Sequence, residues 1–170
     1  FPCPNGDMII NWRYNDTMAI IDRKTKRIKW ALNDDRYGQH HDVQMLDNGN
    51  ILFFANGADT YRHGPEAGSA VVEVDPNTNE EVWKYMGAPT RSFLSWFIRG
   101  CQRLESGNTL ICEGVWGRLF EVTPEKEIVW DYTSPYVFTE PHPVYTDGNY
   151  IFRCYRYAPD SPQISGRLPA

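Results

Sequence analysis

Hydrophobic and polar residues alternate along most of this chain with a period of two, which is the pattern of half-buried β-strands. The clearest example is the segment 43–53, where apolar residues lie on both sides of an Asn48-Gly49 step. Asn-Gly between two such runs is a strong signal for a tight β-hairpin. Gly107 and Gly148 stand at the centre of two further segments of this design, and Gly6 belongs to an incomplete one. The pattern therefore predicts four related hairpins.

A second repeated unit follows three of these hairpins: an apolar strand, a polar turn and another strand that ends in tryptophan. Trp30, Trp83 and Trp130 close the three copies and lie 53 and 47 residues apart. A hairpin and this unit together supply four strands, and repeats of this length are typical of β-propeller blades. We expect the three tryptophans to fill gaps between blades. No segment predicts a helix, because Gly or Pro interrupts every longer apolar run.

These units predict an all-β protein, a β-propeller of four-stranded antiparallel blades, of which about three and a quarter are present. The predicted regions are a partial blade at 1–35, complete blades at 39–86 and 97–133, a partial blade at 140–157 and a tail at 158–170. The predicted strands are 8–12, 18–22, 27–31, 42–46, 51–55, 70–75, 81–85, 99–104, 109–113, 117–122, 127–132, 143–146 and 150–155. Residues 58–68 are predicted to form a long surface loop. Closed propellers need four to eight blades, so we expect either a longer chain, which we favour, or a homodimer.

Composition supports this prediction and narrows the class of partner. The chain has 170 residues, of which 41% are hydrophobic and 14% aromatic, so it can bury a core and favours β structure. Its net charge of −5 gives no support for nucleic acid or an anionic membrane as a partner. No run of 18 apolar residues predicts a membrane-spanning helix.

Four cysteines and one glycosylation sequon bear on the compartment. Cys101 and Cys112 stand at mirror positions about the Gly107 turn, so they either form a disulfide across the hairpin or remain two buried thiols. The sequence leaves both alternatives open. Asn15-Asp16-Thr17 is a sequon for N-glycosylation. We therefore expect a secreted, periplasmic or extracellular protein.

Candidate functional residues stand where each blade should begin its inner strand, because the start of that strand faces the central channel of a propeller. His40 and His41 hold this place in the first complete blade, and alignment of the hairpin turns puts Arg99 at the place of His41. Glu140 falls there in the last copy, with His142 two residues further on. Arginine and protonated histidine bind oxyanions through charge-assisted hydrogen bonds. No third ligand is spaced for a metal beside the two histidines.

Each candidate also has a structural alternative. His40 and His41 could hold a hydrogen-bond network between blades, and His142 could be an ordinary loop residue. Arg99 could form a salt bridge between blades. Trp96 could provide an aromatic wall for a phenolic ring or a buried contact between blades. Because adjacent strand residues point to opposite faces, we assign the channel to His41 and the blade interior or the channel lip to His40.

Several motifs, in order, resemble the arylsulfotransferase-like propellers over most of residues 40–160. They are His40-His41-Asp42-Val43-Gln44, the turn and strand at 47–57, Gln102-Arg103-Leu104 with 107–112, the segment 117–124, and the closing segment 152–160. The resemblance implies a six-bladed enzyme that moves a sulfuryl group from an aryl sulfate to a phenol. It also implies a channel histidine that is transiently sulfated, with no nucleotide donor, metal or other cofactor.

With this resemblance, His41 and His40 become candidate catalytic residues, and Arg99, His142 and Trp96 become candidate substrate-binding residues. A neutral imidazole can attack sulfur as a nucleophile when another group orients it. The chain carries barely half of a six-bladed propeller. A second hypothesis is therefore a non-catalytic secreted or surface propeller that binds a partner or a glycan.

Overall fold

A computed structural model of the protein describes residues 3–57, 68–139 and 147–167. Within these ranges eleven β-strands and four short 3-10 turns are present. The strands are β1 Met8–Trp12, β2 Thr17–Ile21, β3 Ile28–Asn33, β4 His41–Met45, β5 Ile51–Ala55, β6 Ala70–Asp75, β7 Glu80–Met86, β8 Gly100–Arg103, β9 Thr109–Glu113, β10 Arg118–Val122 and β11 Ile128–Thr133. The turns are Arg13–Asn15, Asp35–Tyr37, Thr90–Ser92 and Gly114–Trp116. None of these helical turns has the length and hydropathy of a membrane span.

The strands form three antiparallel sheets in which neighbours in sequence are neighbours in space. The first sheet has the order β1-β2-β3, the second β4-β5-β6-β7 and the third β8-β9-β10-β11. We call them blade 1, blade 2 and blade 3. The predicted all-β fold with four-stranded antiparallel propeller blades is confirmed, and the first eleven predicted strands all form close to their predicted bounds.

The end of the chain differs from the prediction. The predicted strand 143–146 and the predicted surface loop, apart from Gly68, lie outside the described residues. Residues 150–155 were predicted to form a strand but form none, and the pairing nearby is a single bridge between Phe138 and Gly148. Their backbone groups bond to blade 3 instead: the Ile151 N–H donates to the Gly114 carbonyl oxygen at 2.9 Å. Because backbone polar groups need partners of some kind, these bonds replace a strand ladder.

Blade 2 is buried on both faces, and its second strand shows why. All five residues of β5 are buried. Phe53 packs into a cluster with residues of blade 1, whereas Phe54 packs into a second cluster with Ile111 and Phe120 of blade 3. Since successive strand residues point to opposite faces, a continuous apolar run is what a strand between two neighbours requires. These two clusters are the core, and they lie between the blades.

The tryptophan at the end of each repeat ties one blade to the next. Trp30 Nε1 donates to Asn79 Oδ1 at 2.9 Å, and Trp83 Nε1 donates to the Pro124 carbonyl oxygen at 2.9 Å. Both acceptors lie in the outer turn of the following blade, so the predicted packing between blades is confirmed for these two. Trp130 is 40% exposed and stacks on Tyr132.

The cysteines do not form the hairpin disulfide that the sequence left open. All four thiols are free. The reason is the register of the hairpin, in which Cys101 pairs with Ile111 and Gly100 pairs with Cys112. Paired residues share a face and successive residues alternate, so Cys101 and Cys112 point to opposite faces of blade 3. A bond between them would require the strand to slip by one residue.

Candidate functional site

A cavity of about 590 Å³ lies where the inner strands of blades 2 and 3 begin. Residues of four separate segments line it: Arg13, His41, Trp96, Phe97, Ile98, Arg99, Phe152 and Arg153. Three of the residues predicted for the site, His41, Arg99 and Trp96, are therefore brought together. Most of the remaining lining is cationic or aromatic.

His41 is the first residue of β4, and a bulge directly follows it. His41 pairs with Phe54 and Gln44 with Leu52, so β4 carries one extra residue between the two pairs. Asp42 takes up the irregularity with a φ of 54° in the left-handed region. Bulges of this kind re-aim side chains at the ends of strands. Here the half-buried His41 ring lines the cavity while Asp42 is buried.

The surroundings of His41 favour its neutral form. Burial, followed by repulsion from Arg99, lowers the pKa of His41 to about 4, although hydrogen bonds involving Gln39 and Asn56 oppose this shift. His41 Nδ1 lies 3.2 Å from the Gln39 carbonyl oxygen. A carbonyl can only accept, so Nδ1 carries the proton and Nε2 is the unprotonated nitrogen of the neutral ring. At neutral pH His41 is therefore a neutral imidazole.

Arg99 is the most unusual side chain of the cavity. It is only 2% exposed, and its guanidinium donates one hydrogen bond, from Nη1 to the Ser95 carbonyl oxygen. Among the residues that the structure describes, its buried Nε and Nη2 atoms have no hydrogen-bond partner. Burial and the nearby Arg13 lower the pKa of Arg99. Buried donors without acceptors are costly, and an anion in the cavity would supply the missing acceptors.

Among the described residues, no carboxylate forms an ion pair with Arg99. The alternative prediction, a salt bridge between blades, is therefore not observed in this part of the chain. The guanidinium carbon of Arg99 lies over the Phe54 ring, 5.6 Å from its centroid. Arg103 and Arg118, in contrast, are paired with Glu73 and Asp131 at 2.8 and 2.5 Å. Arg99 thus stands apart from these structural arginines.

Arg13 is a second cation of the cavity, and the sequence analysis missed it. It follows β1 in the first 3-10 turn, and its Nε donates to Gln39 Oε1 at 2.8 Å. Arg13 stands seven residues after the Gly6 turn, as Asn56 does after the Gly49 turn. The alignment of the second hairpin strands is the signal that could have identified Arg13. The candidate residues stand instead at the start of the first strand of each hairpin.

The predicted residues His40 and His142 lie elsewhere. The His40 ring is fully buried and packs edge-on against Phe53, with centroids 5.7 Å apart, in the core between blades 1 and 2. Burial lowers its pKa. His40 does not line the cavity, and among the described residues its ring nitrogens do not form the predicted hydrogen-bond network between blades. His142 and Glu140 lie outside the described residues, so the role of His142 stays a prediction.

Aromatic side chains form the rim of the cavity. Trp96 is 44% exposed, and its ring meets that of Trp116 edge-on at 5.5 Å. Trp116 is fixed in turn, since its Nε1 donates to the Leu94 carbonyl oxygen at 2.9 Å. Phe152 lines the cavity and is 73% exposed. Apolar rings beside two arginines fit a ligand that has an anionic group attached to an aromatic body.

Asp42 connects the site to the end of the chain. Its carboxylate accepts a hydrogen bond from the Tyr155 hydroxyl at 2.7 Å and from the Cys101 N–H at 3.0 Å, and it lies 3.7 Å from Arg153 Nε. Burial raises the pKa of Asp42. Asp42 therefore positions cavity walls rather than facing the ligand. Within the described ranges, no group of three or more His, Cys, Asp or Glu side chains could hold a metal ion.

The sequence model of the family described as arylsulfotransferase (ASST) matches residues 3–135. The chain belongs to the arylsulfotransferase family. The match includes blade 1 and both complete blades, and therefore Arg13, His41 and Arg99. No curated protein matches the chain.

Solved structures that resemble this family member have the same type of fold. One is a protein of unknown function from Bacteroides caccae, with a TM-score of 0.53, 17% identity and coverage of 77% of this chain and 43% of that one. Another is virginiamycin B lyase from Staphylococcus aureus, with a TM-score of 0.54, 12% identity and coverage of 79% and 40%. At such identities the likeness shows the propeller-like fold alone. The chain spans less than half the length of these structures.

Proposed function

We propose that this protein transfers a sulfuryl group from an aryl sulfate to a phenolic acceptor, through His41. The observation that carries the proposal is the presence of a neutral His41 and a buried Arg99 in one cavity. Two guanidinium nitrogens of Arg99 have no hydrogen-bond partner in the described part of the chain. The first residue is a nucleophile in its reactive form, and the second has hydrogen-bond donors ready for an oxyanion.

In the proposed first step, Arg99 and Arg13 bind the sulfate oxygens of the donor. The unprotonated Nε2 of His41 attacks sulfur, the bond between sulfur and the aryl oxygen breaks, and the phenolate leaves with its electron pair. The guanidinium groups stabilise the charge on the oxygens in the transition state. The product is a sulfated His41, whose Nδ1 proton is held by the Gln39 carbonyl.

In the second step the acceptor phenol attacks the sulfur of sulfated His41, the bond between Nε2 and sulfur breaks, and the phenol proton passes to solvent. His41 is thereby returned to the neutral imidazole, and the phenolate released in the first step takes up a proton from solvent. Trp96 and Phe152 hold the aryl rings of donor and acceptor. No cofactor or nucleotide donor takes part. His40 is not given a catalytic role here, because its ring lies in the core, and His142 is proposed only as a further sulfate contact.

The test is incubation of the protein with p-nitrophenyl sulfate and phenol while the release of nitrophenol is followed. We expect nitrophenol release and, without acceptor, a sulfated peptide that contains His41. His41→Gln should lose both. Arg27→Met, in an exposed turn of blade 1, is the matched control and should retain both. Transfer by His41→Gln at the normal rate would overturn the proposal.

A second candidate function follows from the exposed rim. Trp96 and Phe152 beside arginines also fit a sulfated glycan that is bound without reaction. This function predicts that His41→Gln binds sulfated glycans as the wild type does while no transfer occurs in either. Two further points stay predictions. One is a secreted, periplasmic or extracellular location, and the other is completion of the ring by further sequence or by a homodimer.

A further inference from the structure

Two cysteines that lie 42 residues apart in sequence meet on blade 3. Cys112 belongs to β9, and Cys154 belongs to the irregular segment near the end of the chain. Each side chain is close enough to shift the pKa of the other, raising that of Cys112 and lowering that of Cys154. Cys112 Sγ also lies 3.6 Å from the Ile151 carbonyl oxygen, three residues before Cys154. The two sulfur atoms are therefore neighbours in the folded chain.

The register of blade 3 explains why Cys112 faces this segment. Cys101 and Ile111 form a pair and pack into the core shared with blade 2. Cys112 pairs with Gly100, so these two residues point to the opposite face. A Cβ added to Gly100 would lie 3.5 Å from Arg153 Cγ, which shows that residues near Cys154 cover that face.

Hydrogen bonds on both sides hold Cys154 in place. Before it, the Ile151 N–H donates to the Gly114 carbonyl oxygen at 2.9 Å. After it, the Tyr155 hydroxyl donates to Asp42 at 2.7 Å. The Gln102 side chain bonds to both the N–H and the carbonyl of Arg156, at 2.7 and 3.0 Å. Cys154 therefore has little freedom to leave Cys112.

We propose that Cys112 and Cys154 are a redox pair that forms a disulfide, which ties residues 151–156 to blade 3. The oxidant is a small disulfide such as oxidised glutathione, for which half-buried Cys154 is the accessible thiol and buried Cys112 is the resolving one. This inference rests on the cysteine pair, the strand register and the anchored segment. It does not depend on the proposed sulfuryl transfer.

The exchange has two steps. The Cys154 thiolate attacks one sulfur of oxidised glutathione and releases one glutathione thiolate, which takes up the Cys112 proton. The Cys112 thiolate then attacks Cys154 Sγ in the mixed disulfide and releases the second glutathione. Two protein thiols are oxidised and one glutathione disulfide is reduced. Interaction with Cys112 lowers the pKa of Cys154, which favours Cys154 as the first nucleophile.

The bond would fix part of the cavity wall. Phe152 and Arg153 line the cavity and lie within the residues that the bond would hold. In the reduced protein, hydrogen bonds, the ion pair of Arg156 with Glu121 and the contact of Arg156 with the Trp130 ring attach this segment to blade 3. Oxidation therefore fastens the wall without changing any residue that faces the ligand.

The test is peptide mapping by mass spectrometry after incubation with oxidised glutathione and alkylation of the remaining thiols. We expect a linked peptide that contains Cys112 and Cys154, with Cys3 and Cys101 alkylated. The melting temperature should rise by roughly 5–10 °C on oxidation and return with dithiothreitol. Cys154→Ser should lose both effects, and Cys101→Ser is the matched control that keeps them.

The wild-type map decides the question even if a variant fails to fold. Alkylation of both Cys112 and Cys154 after oxidation would overturn the proposal. A bond of either cysteine to Cys101 or Cys3 would also overturn it, as would a glutathione adduct on Cys154 that never resolves.

Discussion

Blades 2 and 3 have the same four-stranded body but differ where the inner strand begins. Blade 2 presents His41, followed by a bulge and a buried acid, whereas blade 3 presents Arg99 directly before a regular strand. One residue is half-buried and neutral, and the other is fully buried and cationic. The comparison shows that the hairpins serve as a uniform scaffold. Chemical variety is concentrated at one repeated position next to the cavity.

The outer parts of the two blades are, in contrast, closely alike. Arg103 lies 4.9 Å from the ring centroid of Trp83 and pairs with Glu73 at 2.8 Å. Arg156 lies 5.5 Å from the ring centroid of Trp130 and pairs with Glu121. The same triad thus joins blade 2 to blade 3 and blade 3 to the terminal segment. Contacts between repeats are kept while the inner positions change.

The largest effect should come from making blade 2 resemble blade 3 through His41→Arg. We expect sulfuryl transfer to fall by about 10³-fold or more, because the nucleophile is lost. Sulfate binding should persist, because the cavity gains a further cation. Nitrophenol release and calorimetric titration with sulfate measure the two properties separately. Equal loss of both would mean that the two blades do not divide the roles in this way.

The next effect should come from removing the cation of blade 3 with Arg99→Met. We expect sulfate affinity to fall by roughly 100-fold, because charge-assisted hydrogen bonds to the anion are lost. Titration with sulfate measures the change, and Arg27→Met is the control. Since two buried nitrogens of Arg99 find no hydrogen-bond partner within residues 3–57, 68–139 and 147–167, the variant should be no less stable than the wild type. A clear loss of stability with unchanged sulfate binding would assign Arg99 a structural role.

A smaller effect should distinguish the two outer triads. Arg103→Met leaves Glu73 buried without its cation and should cost about 2 kcal/mol of unfolding free energy. Arg156→Met removes a more exposed arginine and should cost about 1 kcal/mol or less. Urea unfolding of the two variants gives the difference. If Arg156→Met proved the more damaging, the terminal segment would contribute more to stability than blade packing does.

A further effect concerns the response of His41 to pH. In the folded protein its pKa is about 4, below the ordinary value of 6.5, so folding favours the neutral ring. This contribution to stability is present above about pH 6.5 and is lost as the pH falls towards 4. NMR titration should place the midpoint near pH 4, and bound sulfate should raise it. A midpoint near 6.5 in the free protein would contradict the burial of this ring.

The sequence was sufficient to predict the blades because their signals are local. Alternating residues around the turns at Gly49 and Gly107 fix both the strands and their order. The aligned position also predicted His41 and Arg99 as members of one site. These inferences depended on residues that are neighbours along the chain or equivalent between repeats.

One wrong strand, one open question and one missed residue concern contacts that no local pattern encodes. Residues 150–155 follow the Gly148 turn as the second strand of a hairpin would, but their hydrogen-bond partners lie in blade 3. Cys101 and Cys112 are symmetric about their turn, yet a register offset of one residue puts them on opposite faces. Arg13 was not predicted because it follows the second strand of its hairpin, and its role depends on how blade 1 packs. Register and packing between repeats are properties of the assembled fold.

The triad of Arg156, Glu121 and Trp130 has a consequence for how such arrays evolve. A stretch of backbone without any ladder occupies the side of blade 3 by reproducing one salt bridge and one ring contact. Packing between neighbouring units thus depends on a few side chains that recur between repeats. It does not require the packed segment to be a β-strand. A terminal extension could lose its strand-forming character and still remain seated, provided that it kept those few groups.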